Sequence, residues 1–134
     1  MREPSSYKLL VIDDEPALVK LIKTYLGRLG YQVDAFSDGQ EAWRVYQANP
    51  SAYDLIIADL TMPDIDIEPL FPRMPALNSS IRVLICSGRV YEVQTLPKAL
   101  RPHFNFLQKP FVPKMLAEAV NATLSRTPPC PAVV

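Results

Sequence analysis

Apolar positions along this chain gather into five short runs, with stretches of helical spacing between them. The runs are YKLLVID (7–13), YQVDAF (31–36), YDLIIAD (53–59), IRVLICS (81–87) and NFLQK (105–109). Most are nearly continuous rather than alternating, the pattern of strands covered on both faces. The second is more mixed and suits an edge. From Pro16 to Leu29, the set Leu18, Leu21, Ile22, Tyr25, Leu26 and Leu29 predicts one apolar stripe of a helix. Pro16 suits its first turn and Gly30 its stop. A second helix opens at SDGQEA, where Asp38 and Glu41 form a capping box, and ends at ANP (48–50). A short helix is expected between Val90 and Leu100, disturbed at Pro97. A last one runs from Pro113 to Ser125, on Met115, Leu116, Ala119, Val120 and Leu124. Such alternation predicts a doubly wound five-stranded parallel sheet with strand order 2-1-3-4-5 and helices on both faces.

The segment between Asp64 and Ser80 breaks this rhythm. It carries Pro69, Pro72 and Pro75. A proline inside a helix costs about 3 kcal/mol, so an irregular or shortened third helix is expected. Prolines three apart would also share a face of a polyproline II turn. Leu70, Phe71, Met74 and Leu77 could anchor a short helix to the core. The alternative is a partner-specific surface or a flap.

Composition narrows the function classes. A chain of 134 residues is one domain of common size. Its 14 basic and 14 acidic residues balance, with no basic run longer than a pair. Nucleic acid and anionic membranes, which need clustered positive charge, are not expected partners. No apolar stretch approaches the roughly 20 residues of a membrane span. The start, MREPSSYK, lacks a signal-peptide core, so a cytoplasmic location is expected. Cys86 reads as a small buried hydrophobe and Cys130 as a free thiol. His103, between Pro102 and Phe104, reads as a surface loop residue. The prolines total 14. Those at 128–131 mark residues 127–134 as a tail or linker start after a domain at 1–126.

The chemistry lies at the strand ends. The first strand ends in Asp13 and Asp14, the third in Asp59, the fourth in Ser87 and the fifth in Lys109. In the order 2-1-3-4-5 these strands are neighbours, so the five side chains converge. Crowded carboxylates suit a hard cation such as Mg²⁺. A carboxylate nucleophile, a metal, a lysine and a hydroxyl are the parts of a phosphoryl-transfer site. Singly, each residue has a plainer explanation: a helix cap, a turn, a solvated loop. Four coincidences at four adjacent strand ends are a weaker account.

VIDDEP, DLTMP, CSG and LQKPF, in this order and spacing, resemble the landmarks of the two-component response-regulator receiver domain. The likeness runs from residue 7 to about 126. It implies a flavodoxin-like sheet and a phosphoryl group accepted by Asp59 from a sensor histidine kinase or a histidine phosphotransfer protein. It implies that Asp14, Asp59 and the Thr61 carbonyl bind Mg²⁺ directly, with Asp13 acting mostly through water. Lys109 and Ser87 would contact the phosphoryl oxygens, Phe106 would follow Ser87 inward, and the Lys109–Pro110 bond would be cis. An output partner, of unknown kind, would read the change from the fourth helix, fifth strand and fifth helix.

Thr61 and Arg89 lie two residues beyond Asp59 and Ser87, where side chains line the approach of attacking water. A bulky Arg89 is expected to alter the phosphoryl lifetime. Asp64 and Asp66 follow Pro63 and read as solvated loop residues or helix caps. Two rival classes remain. One is an interaction module whose output ignores phosphate, suggested by the broken helices. The other is a Mg²⁺ phosphohydrolase, which usually needs an acid/base carboxylate where Thr61 stands.

Overall fold

The computed structural model describes residues 3–126. The tail expected at 127–134, with Cys130, lies outside the described residues. Five parallel strands form one sheet: β1 (Lys8–Ile12), β2 (Gln32–Phe36), β3 (Leu55–Ala58), β4 (Arg82–Ser87) and β5 (Phe104–Gln108). Their order is β2-β1-β3-β4-β5, as the alternation predicts. Leu9, Leu10 and Val11, all of β3, and Val83 to Cys86 are buried on both faces, which explains their continuous apolar runs. β2 is half-buried at the edge.

Two apolar layers cover the sheet. On one face, α1 (Pro16–Arg28) and α4 (Pro113–Leu124) pack Ile22, Leu26, Leu116, Val120 and Leu124 against Leu9, Val11, Ile57 and Leu84. On the other, α2 (Gly39–Ala48) packs Trp43 and Tyr46 against Leu10, Ile56 and Val83. The buried line of α1 is Val19, Ile22 and Leu26. Leu21 and Leu29, expected in that stripe, are 54% and 42% exposed. Met115, expected in the stripe of α4, is likewise exposed. α1 ends as expected: Gly30 takes φ +106°, and the Tyr31 amide donates back to the Leu26 carbonyl at 3.2 Å. At the start of α2, Asp38 accepts the Glu41 amide at 3.0 Å.

The proline segment divides into two short pieces. A 3-10 turn spans Glu68–Leu70, and α3 is five residues, Arg73–Leu77. Each proline then sits where a helix needs no N–H donor. Pro69 is in the first turn of the 3-10 piece, Pro72 caps α3, and Pro75 is its third residue. The polyproline reading is corrected: Pro72 has φ −65° and ψ −27°, a helical conformation. Phe71 and Met74 are buried anchors, whereas Leu77 is 40% exposed.

The short helix expected over 90–100 is not formed. Single 3-10 turns stand at Val93–Thr95 and Arg101–His103 instead. Pro97 is the reason. The residue before a proline is pushed out of the helical region, and Leu96 is extended at φ −67°, ψ 151°. Leu96 itself is buried, with Tyr91, Val93 and Leu100 packed around the same core. The surface reading of His103 is also corrected. It is buried, and its Nδ1 donates to the Ile81 carbonyl at 2.7 Å. His103→Ala orphans that carbonyl, so a loss of about 1–3 kcal/mol is expected, read as a lower urea midpoint with an unchanged slope. A surface histidine would leave the midpoint where it was. Among the described residues, no helix is long and apolar enough to cross a membrane.

Candidate functional site

The carboxyl ends of β1, β3, β4 and β5 bring the predicted residues together. Asp13 and Asp59 leave their strands side by side. The Asp59 amide donates to the Ile12 carbonyl at 3.0 Å, and the Lys109 amide to the Ser87 carbonyl at 2.8 Å. The sheet ladder thus extends by one residue into the site, so each of these side chains starts from a rigid backbone.

Three of the strand ends close with the same local device. Asp13 Oδ1 accepts the amide of Glu15 at 3.1 Å, and Asp59 Oδ1 accepts the amide of Thr61 at 3.1 Å. Ser87 Oγ accepts the amide of Arg89 at 3.2 Å. Asp and Ser are the residue types that bond the backbone two positions onward. The Thr61 hydroxyl adds a contact to Asp59 Oδ1 at 3.3 Å. In each aspartate one oxygen is therefore held, and the other is free to turn toward the centre.

Lys109 occupies that centre. Its Nζ lies 2.6 Å from Asp13 Oδ2, 3.2 Å from Asp59 Oδ2 and 3.3 Å from Glu15 Oε1. Asp13 and Asp59 are buried and Asp14 is exposed, yet one oxygen from each lies within 4.8 Å of the other two. An all-oxygen cluster open on one side fits a hard divalent cation that keeps several waters. It does not fit zinc, which prefers nitrogen and sulfur. The electrostatics follow from burial. Desolvation raises the Asp13 carboxyl above its ordinary range, against the lowering effect of its bond to Lys109. Desolvation also opposes the Lys109 charge, but its bonds to Asp13 and Asp59 outweigh that and raise it. Lys109 stays an ammonium at any physiological pH. Burial pushes the nearby Cys86 thiol up to about 12, so it is an inert core group.

Other expected residues stand as follows. Ser87 is fully buried at the end of β4. Phe106 is half-buried, pairs in register with Ile85 and packs against the core face that holds Phe71. The Lys109–Pro110 bond is cis. An open depression of about 370 Å³, lined by Glu15, Leu18, Gly88, Lys109, Pro110 and Phe111, adjoins the lysine. Asp64 is a cap borrowed from across the fold: its Oδ2 accepts the Gln40 amide at 3.0 Å, in the first turn of α2. Asp66 is exposed. Gly39 makes this docking possible, since a Cβ there would clash with the Ile65 side chain.

Two residues of the site were not expected from the sequence. Glu15 gives Lys109 a third carboxylate; its place directly after two aspartates was the available signal. Glu68 pairs with Arg89 at 2.9 Å across 21 positions, and no local pattern marks it.

The family model for the response regulator receiver domain matches residues 9–121. The DNA-binding transcriptional regulator NtrC of Azospirillum brasilense is 33% identical over 126 residues, covering 93% of this chain and 26% of that regulator. The chemotaxis protein CheY of Bacillus subtilis is 26% identical over 121 residues, covering 90% of this chain and 99% of its own. Among solved structures, the receiver domain of the hybrid histidine kinase CckA is similar at a TM-score of 0.72 and 30% identity, covering 88% of this chain and 99% of that one. The chain spans about a quarter to a half of the length of the longer curated regulators it matches.

Proposed function

Because the chain belongs to the response regulator receiver domain family, we propose that it is a phosphoryl-accepting switch of a two-component phosphorelay, with Asp59 as the acceptor. The observation that carries this reading is the single ammonium of Lys109 bridging Asp13 and Asp59 at neighbouring strand ends. A further carboxylate oxygen, from the exposed Asp14, lies within 4.8 Å of those of Asp13 and Asp59.

The donor is a phosphohistidine on a sensor histidine kinase or a histidine phosphotransfer protein. A carboxylate oxygen of Asp59 forms a new P–O bond as the P–N bond breaks. The electron pair returns to the donor imidazole, which takes up a proton from solvent. Asp13, Asp14, Asp59 and the Thr61 carbonyl are the groups that would hold Mg²⁺, with Asp13 acting mostly through water. Bound there, the ion offsets the charge of the phosphoryl oxygens. Lys109 supplies a second positive charge to those oxygens, and Ser87 a hydroxyl donor. Thr61 and Arg89 flank the approach of water and set how long the phosphoryl group lasts. Phosphorylation biases a two-state equilibrium. Ser87 and Phe106 carry it to a face made of residues 88–103, β5 and α4. The chain catalyses only its own phosphorylation and dephosphorylation, works in the cytoplasm and passes the signal to an output partner. Neither nucleic acid nor membrane is a partner of this chain.

The second reading is a receiver-like interaction module with phosphate-independent output. The absence of an α-helix between β4 and β5 favours it, because that stretch belongs to the expected output face. A Mg²⁺ phosphohydrolase is disfavoured by Thr61, which offers no second carboxylate for acid/base work. One experiment separates the three. The protein is incubated with Mg²⁺ and acetyl phosphate, and its intact mass is measured. One phosphoryl adduct per chain, absent when Mg²⁺ is chelated, is the expected result. No adduct selects the interaction module. Repeated turnover of phosphomonoesters selects the hydrolase.

A further inference from the structure

The Arg89–Glu68 pair joins the two least regular parts of the molecule, and both of these leave the site directly. Glu68 opens the 3-10 turn in the connection after β3, and Arg89 lies in the connection after β4. Arg89 is tethered at both ends. Its amide donates to Ser87 Oγ at 3.2 Å, and its guanidinium donates to Glu68 Oε1 at 2.9 Å. The register of β3 and β4 sets Ala58 against Ile85. Asp59 and Ser87 therefore stand at the ends of adjacent strands, and Arg89 follows Ser87 by two residues in the connection that leaves the site. From there a long flexible side chain can swing outward to Glu68 or back over Asp59.

Glu68 holds its place firmly, although its head is exposed. Pro69 restricts the backbone next to it. Phe71, three residues on, is buried against Phe104 at a centroid distance of 4.9 Å and meets the edge of Tyr91 at 5.9 Å. Tyr91 follows Arg89 by two residues, so the ring contact and the ion pair join the same two segments. The phenol of Tyr91 is raised first by burial and then by Glu68, with Arg89 opposing, as expected where all three side chains meet.

We propose that Glu68 is a positioning residue for phosphoryl turnover at Asp59. Its carboxylate draws the Arg89 guanidinium off the phosphoryl position and keeps the approach of water open. The inference rests on the reading of Asp59 as phosphoacceptor. The pair is exposed on both sides, at 62% and 44%, and such pairs are weak and easily exchanged. A phosphoryl group brings about −1.5 to −2 of charge and three acceptor oxygens, against the single charge of Glu68. It therefore competes with Glu68 for Arg89 and can bind the guanidinium by two bonds. When Arg89 sits on the phosphoryl group, water is hindered. When Glu68 holds it, water attacks phosphorus. The new P–O bond then forms, the bond to Asp59 breaks with its electron pair returning to the carboxylate, and both protons of the water leave with the inorganic phosphate. Glu68 thus shortens the lifetime of the signal, and the proline-rich segment carries it to where it does so.

The test is a decay measurement on the intact chain. Protein is loaded with acetyl phosphate and Mg²⁺, the donor is removed, and the adduct is followed by intact mass in wild type, Glu68→Gln, Arg89→Gln and the double variant. Glu68→Gln is expected to lengthen the lifetime by roughly two- to fivefold, the factor an exposed ion pair can supply. Arg89→Gln is expected to shorten it, and the double variant to match Arg89→Gln. The gap between wild type and Glu68→Gln should narrow at high salt, while melting temperatures stay together. A lifetime unchanged or shortened in Glu68→Gln, or an effect that persists without Arg89, overturns the inference and leaves the phosphoacceptor reading standing. Absence of an adduct on wild-type protein overturns both.

Discussion

Asp59→Asn will take up no phosphoryl group from acetyl phosphate and will keep its fold. The first half follows from chemistry: an amide is neutral and a poor nucleophile, and it cannot form an acyl phosphate. The second half follows from the charges around it. Asp59 shares Lys109 with Asp13, and Asp13 holds the closer contact, 2.6 Å against 3.2 Å. Removing one of three clustered carboxylates forfeits an attraction to Lys109. It also removes repulsions from Asp13 and Asp14, whose oxygens lie within 4.8 Å. At the effective dielectric of such sites each of these contributions is on the order of a few kcal/mol, so they largely offset one another. The amide oxygen still accepts from Thr61. The melting temperature should therefore stay within a few degrees of wild type, while the mass shift disappears. An adduct of the same mass on the variant would place the acceptor elsewhere.

Lys109→Met will be strongly destabilised at neutral pH, by about 3–5 kcal/mol, because breaking a buried pair strands its partners. The variant keeps the stem of the side chain and loses only the ammonium. Asp13 and Asp59, both nearly inaccessible, are left without their cation. The dependence on pH gives the sign. Burial already raises Asp13, and Lys109 opposes that rise; without Lys109 it grows. A carboxyl whose folded pKa lies above its unfolded value of 3.8 binds more protons in the folded state. Stability is then greatest at low pH and falls as pH climbs through the window between the two values. Relative to wild type, the variant should regain stability as pH drops from neutral toward 4. In wild type Lys109 itself is raised above 10.5, so its contribution is complete below that value and fades only in strong alkali. Mg²⁺ should restore part of the loss by mass action and should raise the melting temperature of the variant more than that of wild type. Urea midpoints equal to wild type at neutral pH would show that Lys109 does not hold this cluster together.

The site was legible in the sequence to an unusual degree, and the reason is geometric. A parallel sheet delivers the residue after each buried run to one edge, so Asp13, Asp59, Ser87 and Lys109 could be placed together once the runs were ordered. What lay between the strands was less legible. His103 looked like a loop residue because Pro102 and Phe104 flank it, but the reach of its ring to the Ile81 carbonyl depends on how two connections pass each other. The helix expected at 90–100 does not form, because Pro97 holds Leu96 in an extended conformation. Leu21 kept the right spacing for the buried stripe and still faces outward, because α1 settles on Val19, Ile22 and Leu26.

By itself, the sequence determined the alternation of strands and helices, the five residues at the strand ends and the impossibility of a long third helix. These are consequences of short-range rules: period, backbone freedom at proline and glycine, and side-chain type at a strand exit. Only the tertiary structure decided that the prolines fall at helix starts, that Asp64 caps a helix 24 positions away and that Glu68 meets Arg89. Such contacts join positions far apart in the chain, and their partners are selected by packing around Phe71, Tyr91 and Phe104 rather than by any pattern within one segment.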